Sequence, residues 1–281
     1  MLLSRRGQKP ALISSSRAPA LNAVSLVAVQ PEWPAPPGVG ALMSTRHGGV
    51  SGPPWHGQNL GAHVGDLPDA VATNRARWAQ TLGAQPVWLD QVHGASVVRV
   101  GRADVGAAPR TADAAWTDQP GVACTVLVAD CLPVLLAARD GRAVAAAHAG
   151  WRGLAGGVLE TTLAALHAGA GVAPAELVAW LGPCIGPQAF EVGADVLQAF
   201  GGFGAFGGVT ESARRFVSQP RPDGSPRWLA DLPGLAADRL AAAGVTHIVH
   251  SRLCTVGDAS RFFSFRRDGR TGRMAASIWR R

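Results

Sequence analysis

The chain has 281 residues, 47% of them hydrophobic and 16% charged, which is enough apolar material for a substantial core and excludes a largely disordered protein. Its formal charge is +7, but the cations are nearly all arginine and are scattered, without the basic stripe and interleaved aromatics of a nucleic-acid surface, which argues against such a partner. Asp130 splits the longest apolar run below the roughly 18 residues of a membrane helix, and four cysteines without a CxxC pair point to reduced thiols in a cytoplasmic protein.

Residues 1–30 carry Arg5, Arg6, Lys9 and Arg17 among serines, prolines and alanines, without the apolar block of a secretory signal, and read as a floppy extension outside the fold. One domain then spans 31–281. Val39 to Arg46 reads as the first core strand and runs into a long Gly/Pro-rich loop, His47 to Gly65, of the kind that is usually functional. Asp66 is placed to cap a helix over Pro68 to Leu82. Pro86 to Val92 and Ser96 to Val100 read as strands joined at His93-Gly94-Ala95.

The centre of the chain holds three apolar runs, Val122–Ala129, Pro133–Ala138 and Arg142–His148, and Asp140-Gly141 predicts a hairpin between the last two. Leu154, Val158, Leu159, Leu163 and Leu166 recur at helical spacing just after His148. Glu176 to Leu181 reads as a buried strand ending in Gly-Pro-Cys-Ile-Gly-Pro, and Gly193 to Phe200 as a short helix. Gly201 to Gly208 is low-complexity and reads as a mobile excursion. Leu229, Leu232, Ala236, Leu240 and Ala243 mark an amphipathic helix capped by Asp231 and stopped by Gly244. Strands follow at Val245–Val249 and Arg273–Trp279. Hairpins mixed with crossovers predict an α/β fold with mixed β-sheet layers covered by helices, and no glycine-rich nucleotide loop follows any strand.

His93, Cys131 and His148 stand at predicted strand ends. Two imidazoles and a thiolate suit zinc with a fourth position left open, as in catalytic sites, although their sequence separations match no metal motif. The plainer reading is a buried thiol and two ordinarily hydrogen-bonded histidines. Against it stands Asp130, a carboxylate at the end of a buried run that needs a partner: a metal-bound histidine, an arginine or substrate. Without metal, Cys131 and His148 form a thiolate–imidazolium pair suited to acyl transfer. Cys124 reads as core, Cys184 and Cys254 as loop thiols. Arg46, Arg152, Arg266 and Arg267 stand near loop mouths where guanidinium forks suit phosphate, and Asn59 serves either a ligand or a turn. Trp151, Phe262 and Phe263 either stack on a base or pack in the core.

The blocks STRHGGVSGP, QNLGAHVGD, DQVHGASVV, VADCLPVLLA, AAAHAGWRGL, AWLGPCIGPQAFEVG and FFSFRRDGRTGRMAASIW resemble the laccase-domain family, long called polyphenol oxidases and including purine nucleoside phosphorylase-like and peptidoglycan-editing proteins. They run from about residue 40 to the end. The resemblance implies a domain of the cysteine-hydrolase-like toxin catalytic type, with His93, Cys131 and His148 as the metal site. It also implies phosphorolysis of adenosine, inosine and methylthioadenosine, together with adenosine deamination; zinc-activated water attacking C6 of adenine suits a site with one open position, with Asp130 as a candidate proton carrier. Val128, Gln58 and Phe265 stand where the family usually has Thr, Leu and Tyr.

The expectation is therefore a cytoplasmic zinc enzyme, with copper as the alternative metal, that takes a nucleoside and phosphate as its small-molecule partners. Arg46, Asn59, Arg152 and Arg266 are its candidate substrate contacts. Competing readings are an editing hydrolase for peptidoglycan precursors at the same site, a copper-dependent polyphenol oxidase, and a non-catalytic protein whose zinc is structural.

Overall fold

Two β-sheets stacked face to face carry the apolar runs of the chain, and helices close the outer face of each. The computed structural model describes residues 26–34, 36–202 and 212–281. One sheet has the strand order Ala28–Val29, Val39–Ser44, Met274–Arg280, Val122–Val128, Gln85–Val87, antiparallel except for the last pair. The other has the order His247–His250, Leu177–Leu181, Leu132–Ala138, Val144–Ala149, Ala114–Thr117, Val97–Arg99, with a parallel pair at each edge and antiparallel pairs between.

Val122–Val128 and Leu132–Ala138 are buried at every position. A strand covered on both faces needs no polar side, so such strands read as unbroken apolar runs. Leu135, Ala137, Val144 and Ala146 meet Val126, Val128, Met274 and Ile278 between the sheets. On the opposite face Leu132, Val134 and Leu136 pack with Leu159, Leu163 and Leu166 of helix Val158–Ala170 and with Leu235 and Leu240 of helix Leu232–Ala242. Each fully buried Leu contributes about 1.5–3 kcal/mol of transfer free energy. Helix Pro68–Leu82 lays Trp78 and Leu82 on Ala123, Leu127, Ala275 and Trp279. The indole N–H of Trp78 donates to Ser277 Oγ at 3.0 Å, so its burial leaves no orphan donor.

The hairpin at Asp140-Gly141 forms as expected, with Gly141 at φ +73°. Several boundaries differ for local reasons. Asp66 does not cap the helix over 68–82: Leu67 holds that position, Pro68 opens the helix needing no N–H acceptor, and Asp66 accepts from Ser51 and Asn59 instead. The run from Pro86 divides into Gln85–Val87 and Leu89–Asp90, which pair with different strands. The helical stretch after His148 is two helices, Trp151–Ala155 and Val158–Ala170, because Gly157 takes φ +92°. Leu229 belongs to strand Trp228–Ala230, and Asp231 caps the following helix by accepting from Gly234 N at 2.9 Å. The strand expected from Val245 spans His247–His250.

The fold also begins before residue 31, since Ala28–Val29 pairs with Met43 and Ser44. Of the expected N-terminal extension, residues 1–25 lie outside the described residues, as do 203–208 of the glycine-rich segment. No helix among the described residues is long and apolar enough to cross a membrane.

Candidate metal centre

The chain passes from one sheet to the other at Ala129-Asp130-Cys131, and this corner creates the site. Asp130 sits at φ +91°, a conformation that costs a non-glycine residue about 1–3 kcal/mol and must be held from outside. Its carboxylate accepts from Thr255 Oγ1 at 2.6 Å, Ser264 Oγ at 3.0 Å and the Arg266 amide at 2.7 Å, while its carbonyl accepts from Ile185 N at 2.9 Å. Asp130 therefore finds hydroxyl and amide partners rather than a histidine, and its task is to fix the corner that presents Cys131.

His148 stands near the end of strand Val144–Ala149 and is 3% exposed, and His93 occupies its loop at φ +60°. The imidazole rings meet edge to face with centroids 4.7 Å apart. One ligand atom from each of His93, Cys131 and His148 lies within 4.8 Å of the others. Atoms bonded at ~2.0–2.3 Å to a single zinc lie ~3.3–3.8 Å apart, so modest side-chain rotation closes this set on one ion. Gly150 makes the convergence feasible, since a Cβ there would lie 2.9 Å from Cys131 Sγ and 3.0 Å from His93 Cδ2.

Asp113 holds both histidines and escaped sequence reading. Completely buried, it takes the Nδ1 of His148 at 2.8 Å and the amides of His93 at 2.9 Å and Gly94 at 2.6 Å. Nδ1 is thereby committed, leaving Nε2 of His148 for a metal, the usual arrangement of a carboxylate behind a ligating histidine. Burial would raise Asp113, but the hydrogen bonds from His148, Gly94 and Val92 hold it below the ordinary carboxylate range. Burial would likewise push the Cys131 thiol up, yet His148 and then His93 outweigh it and bring it down to about 6. Burial pushes His148 down, and Cys131 and Asp113 carry it up to about 9. In metal-free protein the pair is thus thiolate and imidazolium, a state that accepts a divalent cation with release of a proton.

The cluster opens on a cavity of about 370 Å³. Trp151, Ile185, Phe190, Leu232 and Phe265 give it apolar walls, and His63, Gln91, Arg152, Arg266 and Arg273 bring polar groups. No acid pairs with Arg152, Arg266 or Arg273 among the ion pairs of the described residues. Arg152 and Arg266 both line the cavity, with Arg152 stacked on Trp151 at 4.3 Å. Two other expected substrate contacts are corrected. Arg46 lies outside the cavity, donating to the Ala259 carbonyl at 3.1 Å over the Phe263 ring. Asn59 is completely buried and spends its amide on Gly61, Asp66 and Arg273. Arg267 closes its own turn by donating to the carbonyls of Thr255 and Phe262. Phe262 and Phe263 are core, Trp151 is wall, and Cys184 is core rather than a loop thiol.

His63, Gln91 and Arg273 are the polar cavity residues the sequence left unmarked. His63 was legible only as a histidine in a long loop, and Arg273 only as the start of the last strand. Burial, followed by the charges of Arg273 and Arg75, lowers His63, so its imidazole is neutral at neutral pH.

Known proteins are similar to this chain in sequence and in fold. A Pseudomonas aeruginosa protein named purine nucleoside phosphorylase is 51% identical over 89% of this chain and 96% of its own length. An Escherichia coli protein of the same name is 47% identical over 89% of this chain and 98% of its own. The crystal structure of a Neisseria meningitidis protein superposes with a TM-score of 0.81 at 46% identity, covering 90% of this chain and 98% of that one. The profile of the family described as multi-copper polyphenol oxidoreductase laccase matches residues 40–281, the span that contains the second sheet, most of the first and the His93, Cys131 and His148 cluster, and the chain belongs to that family.

Proposed function

We propose that the chain is a purine nucleoside phosphorylase whose zinc is held by His93, Cys131 and His148. The observation that carries this is the juxtaposition, in one cavity, of an open three-ligand cluster with arginines that have no acid partner. Guanidinium groups without a carboxylate partner favour an anionic ligand, and phosphate suits their forked donors. The apolar walls suit a purine ring, and a cavity of about 370 Å³ is within the usual range for small-molecule sites.

In phosphorolysis a phosphate oxygen bonds to the anomeric carbon as the bond to the purine nitrogen breaks, and the departing base keeps the electron pair and takes up a proton. A zinc ion bound here would supply Lewis-acid polarisation through its open fourth position. The chain's own groups do the remainder. Trp151 and Phe190 offer the base an apolar wall, with the more exposed Phe265 beside them. The arginines neutralise phosphate and fix its approach, the positioning that makes a bimolecular step effectively unimolecular. Asp130, already accepting three hydrogen bonds, is a corner post rather than a proton carrier. Adenosine deamination and the use of methylthioadenosine extend the same reading, because both fit a purine beside an open metal position.

Purified zinc-loaded protein incubated with inosine or adenosine, with and without phosphate, tests this by product chromatography. Free base that appears only with phosphate supports phosphorolysis, and inosine from adenosine supports deamination. Neither product from metal-replete protein overturns the reading.

A further inference from the structure

We propose that Arg273, with His63 beside it, is the phosphate subsite of this cavity, and that the loop carrying Gln58 to Gly65 is built to present both. This rests on the phosphorylase reading and assigns one of its two substrates to particular atoms.

Arg273 uses little of its donor capacity. NH1 donates at 3.1 Å to the carbonyls of Thr271 and Gly272, whereas Nε and NH2 have no acceptor among the described residues. The residue is only partly exposed, and although the charges of Cys131 and Asp130 reach it and the Phe265 ring lies 5.9 Å away, it makes no ion pair with an acid among the described residues, so the water it has lost is only partly replaced. Its surroundings fix its direction. The Arg273 amide donates to Asn59 Oδ1 at 2.9 Å, and a Cβ at Gly61 would lie 2.7 Å from Arg273 Cγ, so the loop closes directly over the arginine stem. Asn59 also binds Gly61 N at 2.9 Å and Gly61 O at 3.1 Å, which shapes the turn that leads to His63. His63 lines the same cavity and makes no hydrogen bond to the described residues.

The other cations are less suited. Arg266 donates NH1 to the Glu191 carbonyl at 2.8 Å, and Arg152 is exposed and stacked on Trp151. Arg75 lies outside the cavity, with Nε on the Leu60 carbonyl at 2.9 Å and its guanidinium over Trp88. The one acid in the cavity wall, Asp130, is held by three donors of its own. A guanidinium with unused donors and an imidazole, both lining the cavity that holds the metal cluster, are a donor set that a phosphate dianion fills.

The test is titration of zinc-loaded protein with inorganic phosphate by calorimetry, for the wild type, Arg273→Met, Arg273→Lys and His63→Asn, together with zinc content and the KM values for phosphate and inosine. Loss of one charge-assisted contact predicts a Kd for phosphate raised about 10- to 100-fold in Arg273→Met, with partial recovery in Arg273→Lys. Zinc content and the KM for inosine stay near wild type. His63→Asn, at an exposed position, weakens phosphate several-fold with the fold intact, so the proposal stands or falls even if Arg273→Met does not fold. Unchanged phosphate affinity in the variants, or zinc lost in parallel with phosphate, overturns it; the latter assigns Arg273 to balancing the Cys131 thiolate. Phosphate binding that depends on Arg273 without any phosphorolysis leaves the subsite standing while the enzyme reading falls. Phosphorolysis with an unchanged phosphate KM does the reverse.

Discussion

Asp113 grips His148 twice: its carboxylate takes the imidazole Nδ1 at 2.8 Å, and its backbone carbonyl takes the His148 amide at 2.7 Å. The same carboxylate binds the His93 amide, so one buried acid sets the position of two ligands, one from a strand and one from a loop. Asp113→Asn keeps the volume but presents an amide where a negative acceptor stood. The expected result is zinc affinity reduced about 10- to 100-fold, measured by chelator competition, with the fold retained. Wild-type affinity in this variant would show that the carboxylate does not govern the ligands.

Gly150 gives a steric prediction. Gly150→Ala places a methyl group against both Cys131 Sγ and His93 Cδ2 at about 3 Å. Strand Val144–Ala149 and the following helix do not depend on that space. The variant is therefore expected to show native far-UV circular dichroism and to bind zinc substoichiometrically. Full zinc occupancy would mean that the ligands converge differently.

The thiolate–imidazolium pair predicts a pH profile for metal-free protein. Cys131 is lowered to about 6, so its thiolate is lost as pH falls through that value; His148 is raised to about 9, so its charge is lost as pH rises through that one. By linkage, the Cys131 contribution to stability is fully present above the ordinary thiol value and lost as pH falls through about 6, whereas that of His148 is fully present below the ordinary imidazole value and lost as pH rises through about 9. Iodoacetamide should accordingly modify Cys131 with a midpoint near pH 6, and zinc should protect it. Cys124 and Cys184, whose burial pushes their thiols up, should stay unreactive in the folded protein. In His148→Ala the midpoint should move toward the ordinary thiol value of about 8.5. A wild-type midpoint there would contradict the pairing.

Gln58 predicts a gain in stability. It is completely buried, and neither its amide oxygen nor its amide nitrogen has a partner. An unsatisfied buried polar group costs about 1–3 kcal/mol. Gln58→Leu removes it at similar volume and should raise Tm by about 2–4 °C per kcal/mol recovered for a domain of this size. A lower Tm would show that the amide is satisfied in solution.

The extent to which the site was legible follows from where its information lies. His93, Cys131 and His148 could be singled out because they stand at or between the apolar runs that read as strands, although His93 proves to lie in a loop. Asp113 sits in front of a buried strand just as Asp130 does, yet carboxylates in that setting carry no mark of whom they serve. Asp130 was correctly read as needing partners, but Thr255 and Ser264 lie 125 and 134 residues away and have no periodicity. Asn59 could have been turn or ligand, and its contact with Arg273, 214 residues on, shows that it orders the loop. The two-sheet stack was the least legible part of the fold. Strands buried on both faces lose the alternation that would reveal which face meets which layer.

The central claim is that His93, Cys131 and His148 bind one ion whose fourth position faces the cavity. Anomalous diffraction from crystals of the purified protein, collected across the zinc and copper edges, tests it most directly. The account predicts a single zinc peak at about 2.0–2.3 Å from the two imidazole nitrogens and the sulfur, with no fourth protein ligand. A peak elsewhere, a closed protein coordination sphere, or no peak in metal-replete crystals would contradict it.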